Sequence, residues 1–409
     1  MTDWQEISGG VTAPKGYRAA GIKAGLKRSG LPDLALIVSD VEAIAAGVST
    51  TSQVRAACVD YCRQRLDEKS SAQAILCNAG QANAATGSQG WTTVLEQAKL
   101  VGEGLGISPD AVLVASTGVI GQQIPLPKIA AAMPALVASL SDTGSDQAAQ
   151  AIVTTDLVTK SIALEAKIGD RPVRIGGIAK GSGMIHPNMA TMLSFVTCDA
   201  AVSPHLWQQM LSRAADKSFN QITVDGDTST NDTLLALANG QSRTPAITEP
   251  GPEADLLEAM LTEVCIYLAK AIARDGEGAT CLIEVQVSGA VDNKAARQVA
   301  RTVAGSSLVK SAIFGRDPNW GRIAAAAGRA GAHFTQTDLQ IKLGDFLMMT
   351  GGQPLEFDRP AASDYMKNQA ASGNTVTISV SIGSGTGTGK AWGCDLSYDY
   401  VKINAEYTT

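Results

Sequence analysis

The stretch of this 409-residue chain densest in potential chemistry is VRIGGIAKGSGMIHPNMATMLSFVTCDA, from Val173 to Ala200. An apolar strand there runs into a glycine-rich loop, and apolar character resumes after the pair Ala190 and Thr191. A hydroxyl is a poor nucleophile at neutral pH and needs a base. One solution makes the threonine the first residue of a chain, so that its own amine accepts the proton. For Thr191 this requires cutting the bond to Ala190, by attack of the hydroxyl on the preceding carbonyl to give an ester that water opens. Glycines before the cut would let the backbone take a strained shape, and the threonine methyl would limit where the hydroxyl points. On the pattern alone, such a threonine is more often a strand-start residue than a nucleophile, so spacing by itself does not decide.

Other constellations dissolve on inspection. GSGTGTGKAWG, Gly383 to Gly393, lacks the glycine and the Ser/Thr that a phosphate loop needs where Ser384 and Ala391 stand. VDGDTSTND, Val224 to Asp232, has Thr230 where a calcium loop requires glycine, and no closing glutamate. His186, His205 and His333 are not at metal spacing, so no metal is expected. Cys58 and Cys62, four apart, share a helical face, which burial explains as well as redox chemistry does.

These residues must be held by a large folded body. Charged residues make up 18% against a usual figure of about 25%, and apolar residues 45%, which excludes a disordered chain. A formal charge of -6 gives no electrostatic footprint for nucleic acid or an anionic membrane. Seven cysteines without regular spacing suit a reduced, cytoplasmic protein. The start, MTDWQEISGG, resembles neither a signal nor a transit peptide. The longest apolar run, Ile129 to Leu140, contains Pro134 and falls short of the roughly twenty residues that span a bilayer.

Short apolar runs bounded by turn formers (LALIVSD, AQAILCN, AVLVAST, VRIGGIA, LIEVQVSG) predict strands. Thr51 to Leu66, Leu126 to Leu140 and Ala254 to Arg274 predict helices; in the last, Leu256, Leu257, Met260, Leu261, Val264 and Leu268 share a face. DLQIKLG and NTVTISVSIG alternate apolar and polar residues as half-covered antiparallel sheet does, which predicts a main α/β domain over 1–284 and a smaller one over 285–409. Ser242 to Asp255, rich in Pro and polar residues, reads as a surface loop.

KGSGMIHPNMATMLSF resembles the cleavage-site signature of the ornithine acetyltransferase family, the glutamate N-acetyltransferases of arginine biosynthesis. The likeness extends in order through ASTGVIG (115–121), TVDGDTSTNDT (223–233), ARDGEGAT (273–280), GRDPNWGR (315–322) and WGCDLSYDYVKINAEYTT (392–409), essentially the whole chain. The resemblance implies a precursor that cuts itself into an α chain of residues 1–190 and a β chain of 191–409. Thr191 then carries the acetyl group from N-acetylornithine to glutamate, by double displacement. It implies Thr117 and Gly118 as the oxyanion donors, and Thr154, Lys180, Thr191, Glu277, Asn404 and Thr409 as substrate contacts, with no role for Asp225 or Asp227. The expected fold is a layered αββα-type sandwich, N-terminal-nucleophile-like and of the DmpA type, two sheets between helices, with a tail returning to the site. The expected assembly is two α/β pairs, an α2β2 heterotetramer.

Family members differ in whether acetyl-CoA also serves as donor; His186 before Pro187 resembles the two-activity kind, with acetyl-CoA a co-substrate and no resident cofactor. A self-cleaving amidohydrolase or aminopeptidase, and an uncut small-ligand-binding protein, stay open as alternatives.

Overall fold

In the computed structural model the described residues are 3–186 and 192–406. They form two sheets flanked by helices. The first sheet contains β1 (Trp4–Ile7), β2 (Tyr17–Ile22), β3 (Leu34–Ser49), β4 (Ser71–Gln81), β5 (Val112–Val119), β6 (Lys160–Ile168), β7 (Arg171–Lys180), β8 (Leu193–Cys198) and β10 (Thr233–Ala238), in the order β1-β6-β7-β8-β10-β3-β4-β5, with β2 also on β3. The second contains β9 (Ile222–Thr223), β11 (Leu282–Ala290), β12 (Leu339–Leu343), β13 (Phe346–Thr350), β14 (Gln353–Pro354), β15 (Thr375–Ile382) and β16 (Gly387–Cys394), in the order β14-β13-β12-β15-β11-β16-β9. The helices are α1 (Ala57–Glu68), α2 (Gly87–Leu105), α3 (Leu126–Ala138), α4 (Ser145–Ile152), α5 (Pro204–Lys217), α6 (Pro252–Arg274), α7 (Asn293–Ala304), α8 (Ser307–Phe314), α9 (Trp320–Gly328), α10 (Arg359–Ala371) and α11 (Tyr398–Glu406).

The strands are ordered by what covers them. The start of β5 is a continuous buried run because the sheet there is covered on both sides and β5 pairs parallel with β4. Helices α1 to α4 pack against β2 to β5 in one apolar cluster, and α5 and α6 against β3, β6 and β7 in another. Helix α6 also reaches Leu282, Trp392 and Cys394 of the second sheet, while α7 to α10 cover that sheet's apolar face. Strand β15 alternates buried and half-buried residues, as its TVTISVSI sequence predicts. The direction differs from expectation, however: β15 runs parallel to β11 and antiparallel to β12. Alternation reports one-sided cover, not strand direction.

Helix ends follow local chemistry. Pro252 opens α6 with Glu253 and Asp255 in its first turn and Arg274 in its last, matching the helix dipole at both ends. Helix α1 begins at Ala57, six residues later than Thr51, because the hydroxyls of Thr50 and Ser52 take up nearby backbone groups in a turn. The segment 242–255 is only in part a surface loop. Ser242, Thr244 and Ile247 are buried, and the Ile247 carbonyl accepts a hydrogen bond from Ser203 N at 3.0 Å. GSGTGTGKAWG becomes mostly strand β16. Among the described residues no helix is long and apolar enough to cross a membrane, and no group of His, Cys, Asp or Glu is arranged to hold a metal.

Candidate active site

A cavity of about 380 Å³ opens where the ends of several strands meet, lined by Thr117, Gly118, Thr154, Lys180, Glu277 and Asn404. Six of the expected site residues are thereby brought together from five separate stretches of chain. Thr191, the Ala190–Thr191 bond and Thr409 lie outside the described residues. Met192 and Leu193, which follow Thr191, also line the cavity, and the Met192 carbonyl accepts from Thr233 N at 2.9 Å as β8 begins.

Each wall has a local cause. Thr117 and Gly118 sit near the end of β5, where Gly118 lies directly opposite Gly80 of β4. At Gly118 φ is +128°, and a Cβ would come within 2.3 Å of the Gly80 backbone, so only glycine fits. Lys180 ends β7, and its Nζ donates to Thr154 Oγ1 at 2.8 Å and to Thr117 Oγ1 at 3.3 Å. Burial pulls its ammonium pKa down, with Asp156 opposing that shift. Glu277 stands above Gly183, where a Cβ would lie 2.4 Å from the carboxylate; glycine here makes room for an acid.

Helix α11 is the last described element beside the site. Ser397 Oγ donates to the Gly278 carbonyl at 2.6 Å, and Gly278, at φ +71°, leaves no space for a side chain beneath Tyr400 N. Tyr398 meets Phe314 edge-on, with ring centroids 5.4 Å apart. These contacts bring Asn404 Nδ2 to 2.9 Å from Glu277 Oε2.

Behind the cavity lies an ionic network that the sequence did not disclose. Lys160 Nζ, fully buried, donates to Asp156 Oδ1 at 2.7 Å and to Asp275 Oδ2 at 2.6 Å. Asp156 also accepts from Gly181 N at 2.6 Å and from Thr154 N at 3.1 Å, and Asp275 accepts from Leu157 N at 3.1 Å. Burial works to raise the Asp156 carboxyl, but the Lys180 and Lys160 ammoniums and these hydrogen bonds outweigh it and hold it at about 2. The network fixes Thr154, Lys180 and the loop after β7 relative to one another. Asp156 and Lys160, four apart, are visible in the sequence as a pair; Asp275, 115 residues away, is not.

Asp225, given no role from sequence, clamps the segment that leads to Ala190. Its carboxylate accepts from Met184 N at 2.6 Å and Ile185 N at 2.8 Å. Burial raises its pKa against those bonds. Gly181, one of the glycines before the cut, has φ +157°, and Met184 also lies at positive φ, +56°. Asn231 donates to the carbonyls of Ala82 and Ser116, tying the cavity floor to β5. Cys58 and Cys62 lie outside this cavity in α1, and burial raises both thiols, Cys58 to about 11, as inert core residues require.

Comparison with known proteins gives the family. The chain is 77% identical over 414 residues to the arginine biosynthesis bifunctional protein ArgJ 1 of Nostoc sp., and 70% identical to the ArgJ bifunctional protein of Synechocystis sp., each aligned over 100% of both chains. The crystal structure of arginine biosynthesis bifunctional protein ArgJ from Bacillus halodurans, 46% identical, matches with a TM-score of 0.50 over 52% of this chain and 98% of that one. A model of the ArgJ family matches residues 18–409. With that match and these full-length relatives, the chain belongs to the ArgJ family.

Proposed function

We propose that this acyltransferase of arginine biosynthesis moves the acetyl group of N-acetylornithine to glutamate through an ester on Thr191, and that it also accepts acetyl from acetyl-CoA. The supporting observation is the meeting of an ammonium, Lys180, a carboxylate, Glu277, and a hydroxyl beside a backbone N–H, Thr117 and Gly118, in one cavity at the start of β8. An amino acid that carries both charges needs that complement.

After cleavage the amine of Thr191 takes the proton of its own hydroxyl, whose oxygen attacks the acetyl carbonyl. Negative charge develops on the carbonyl oxygen and is met by Thr117 Oγ1–H and Gly118 N–H. Lys180 tunes the first of these donors. Its ammonium can only donate, so Thr117 Oγ1 accepts from it and the threonine hydrogen is left to point at the oxyanion. The third Lys180 proton is available for the substrate α-carboxylate, and Glu277, steadied by Asn404, pairs with the ornithine side-chain ammonium. The tetrahedral species collapses by breaking the C–N bond, and the Thr191 amine returns its proton to the departing ornithine. Glutamate then attacks the ester by the reverse steps. Thr409 is a further substrate contact in this reading. Two α/β pairs in the cytoplasm complete the reading.

The Thr191→Ala variant tests the nucleophile. It is expected to run as an intact 409-residue chain without exchange activity, whereas the wild type separates under denaturing conditions into 1–190 and 191–409. A wild-type enzyme active as a single chain contradicts the proposal.

A further inference from the structure

Two residues along from Met184, which lines the catalytic cavity, His186 lines another of about 620 Å³. Its wall is α7, where Lys294, Arg297 and Arg301 recur at helical spacing on one side while Ala296, Val299, Ala300 and Val303 pack on the sheet. Arg329, after α9, adds a further cation. The carboxylate in the lining is Asp216, whose Oδ1 accepts from Asn220 Nδ2 at 2.8 Å. Among the described residues none of the four cations is in an ion pair. Arg301 is the sharpest case: its Nε and Nη2 are sealed from solvent with no acceptor among the described residues. Burial alone draws that guanidinium down to about 10, with no carboxylate opposing it. A guanidinium buried with unmet donors is costly, and the ordinary remedy is a bound anion that takes two of its hydrogen bonds at once.

The geometry points to this cavity as a binding site for a phosphate-bearing ligand, and specifically for the phosphorylated nucleotide end of the acetyl-CoA donor. Four cations facing one carboxylate call for a multiply charged anion, which neither ornithine nor glutamate supplies. A cavity larger than the amino-acid site suits a nucleotide better than an inorganic ion. Position argues the same way, since the backbone from residue 184 to 186 covers only about 7 Å when extended. The identity of the ligand rests on the acetyl-CoA half of the proposed function; the phosphate chemistry does not.

The test uses the mature, cleaved enzyme with Arg297→Gln and Arg301→Met, singly and together, and Arg359→Gln as a control of equal charge in a surface ion pair with Asp317. Calorimetric titration with pyrophosphate and with CoA reads the site, and exchange between N-acetylornithine and glutamate reports that the catalytic cavity is intact. Each variant in the cavity is expected to weaken both titrations about tenfold or more and to raise KM for acetyl-CoA comparably, while exchange and the Arg359→Gln control stay at the wild-type level. If pyrophosphate binding falls but KM for acetyl-CoA does not move, the phosphate site stands and its occupant is a free phosphorylated ligand. Wild-type enzyme that binds neither probe, or variants that bind both as the wild type does, overturns the site. An enzyme without any acetyl-CoA activity would refute that half of the proposed function, and the pyrophosphate titration would still judge the cavity. Arg297 is only half-buried, so its variant keeps the test valid if the Arg301 variant fails to fold.

Discussion

The two cavities on either side of residues 184–186 treat buried charge in opposite ways. Behind the candidate catalytic cavity, Lys160 is balanced by Asp156 and Asp275, and each carboxylate has further donors. Along α7, Arg301 is nearly as enclosed at its Nε and Nη2 but has no counter-ion among the described residues. The difference separates scaffolding from recognition. A closed ionic network holds Thr154 and Lys180 at fixed distances and has little left to offer a ligand, whereas unpaired cations cost stability until something anionic arrives.

Breaking the closed network should have the larger effect. Lys160→Met leaves two buried carboxylates facing each other, and the folded state is expected to lose about 3–5 kcal/mol, seen as a lower midpoint in urea unfolding than that of the wild type. A midpoint unchanged from wild type would show that Asp156 and Asp275 do not depend on Lys160.

A smaller effect is expected from His186, which stands between the regions with Nδ1 at 2.9 Å from Thr223 Oγ1. Burial, with a contribution from Arg301, lowers its pKa from 6.5 to about 4. Between those values the unfolded chain binds a proton that the folded chain refuses, so stability falls as pH drops from about 6.5 to about 4 and no further below that. The ring is partly exposed, so the contribution is discounted to about 1 kcal/mol. Subtracting the midpoints of His186→Gln from those of the wild type across this range isolates it; parallel curves would contradict the assignment.

Smallest of all is the effect of Arg301→Met on stability. Removal of an unpaired buried cation is expected to leave the midpoint unchanged or raise it by about 1 kcal/mol. A loss comparable to that of Lys160→Met would show that Arg301 belongs to a network after all, and the contrast between the regions would fail.

Much of the fold was legible because it rests on local pattern. The apolar face of α6, the Pro134-containing α3 and the runs that became β4, β5 and β7 each declare themselves within a short window. What was not legible depends on partners far along the chain. Alternation in β15 could not say that β11 runs parallel to it, and the polar look of 242–255 could not say that Ile247 pairs with Val202. The candidate site divides the same way. Residue chemistry alone could suggest Thr191, but Thr117, Thr154, Lys180, Glu277 and Asn404 were singled out through the family likeness, since no spacing connects them. The cations of α7 were visible at positions 294, 297 and 301; their lack of counter-ions is a fact of packing and cannot be read from one segment.

The most direct test of acetyl transfer through Thr191 is the mass of the 191–409 fragment after brief mixing of the wild-type enzyme with N-acetylornithine and an acid quench. One added acetyl group on that fragment, located on Thr191 by peptide mapping and discharged when glutamate is supplied, is the predicted result. A fragment of unchanged mass under conditions where ornithine is released, or an acetyl group on any other residue, would contradict it.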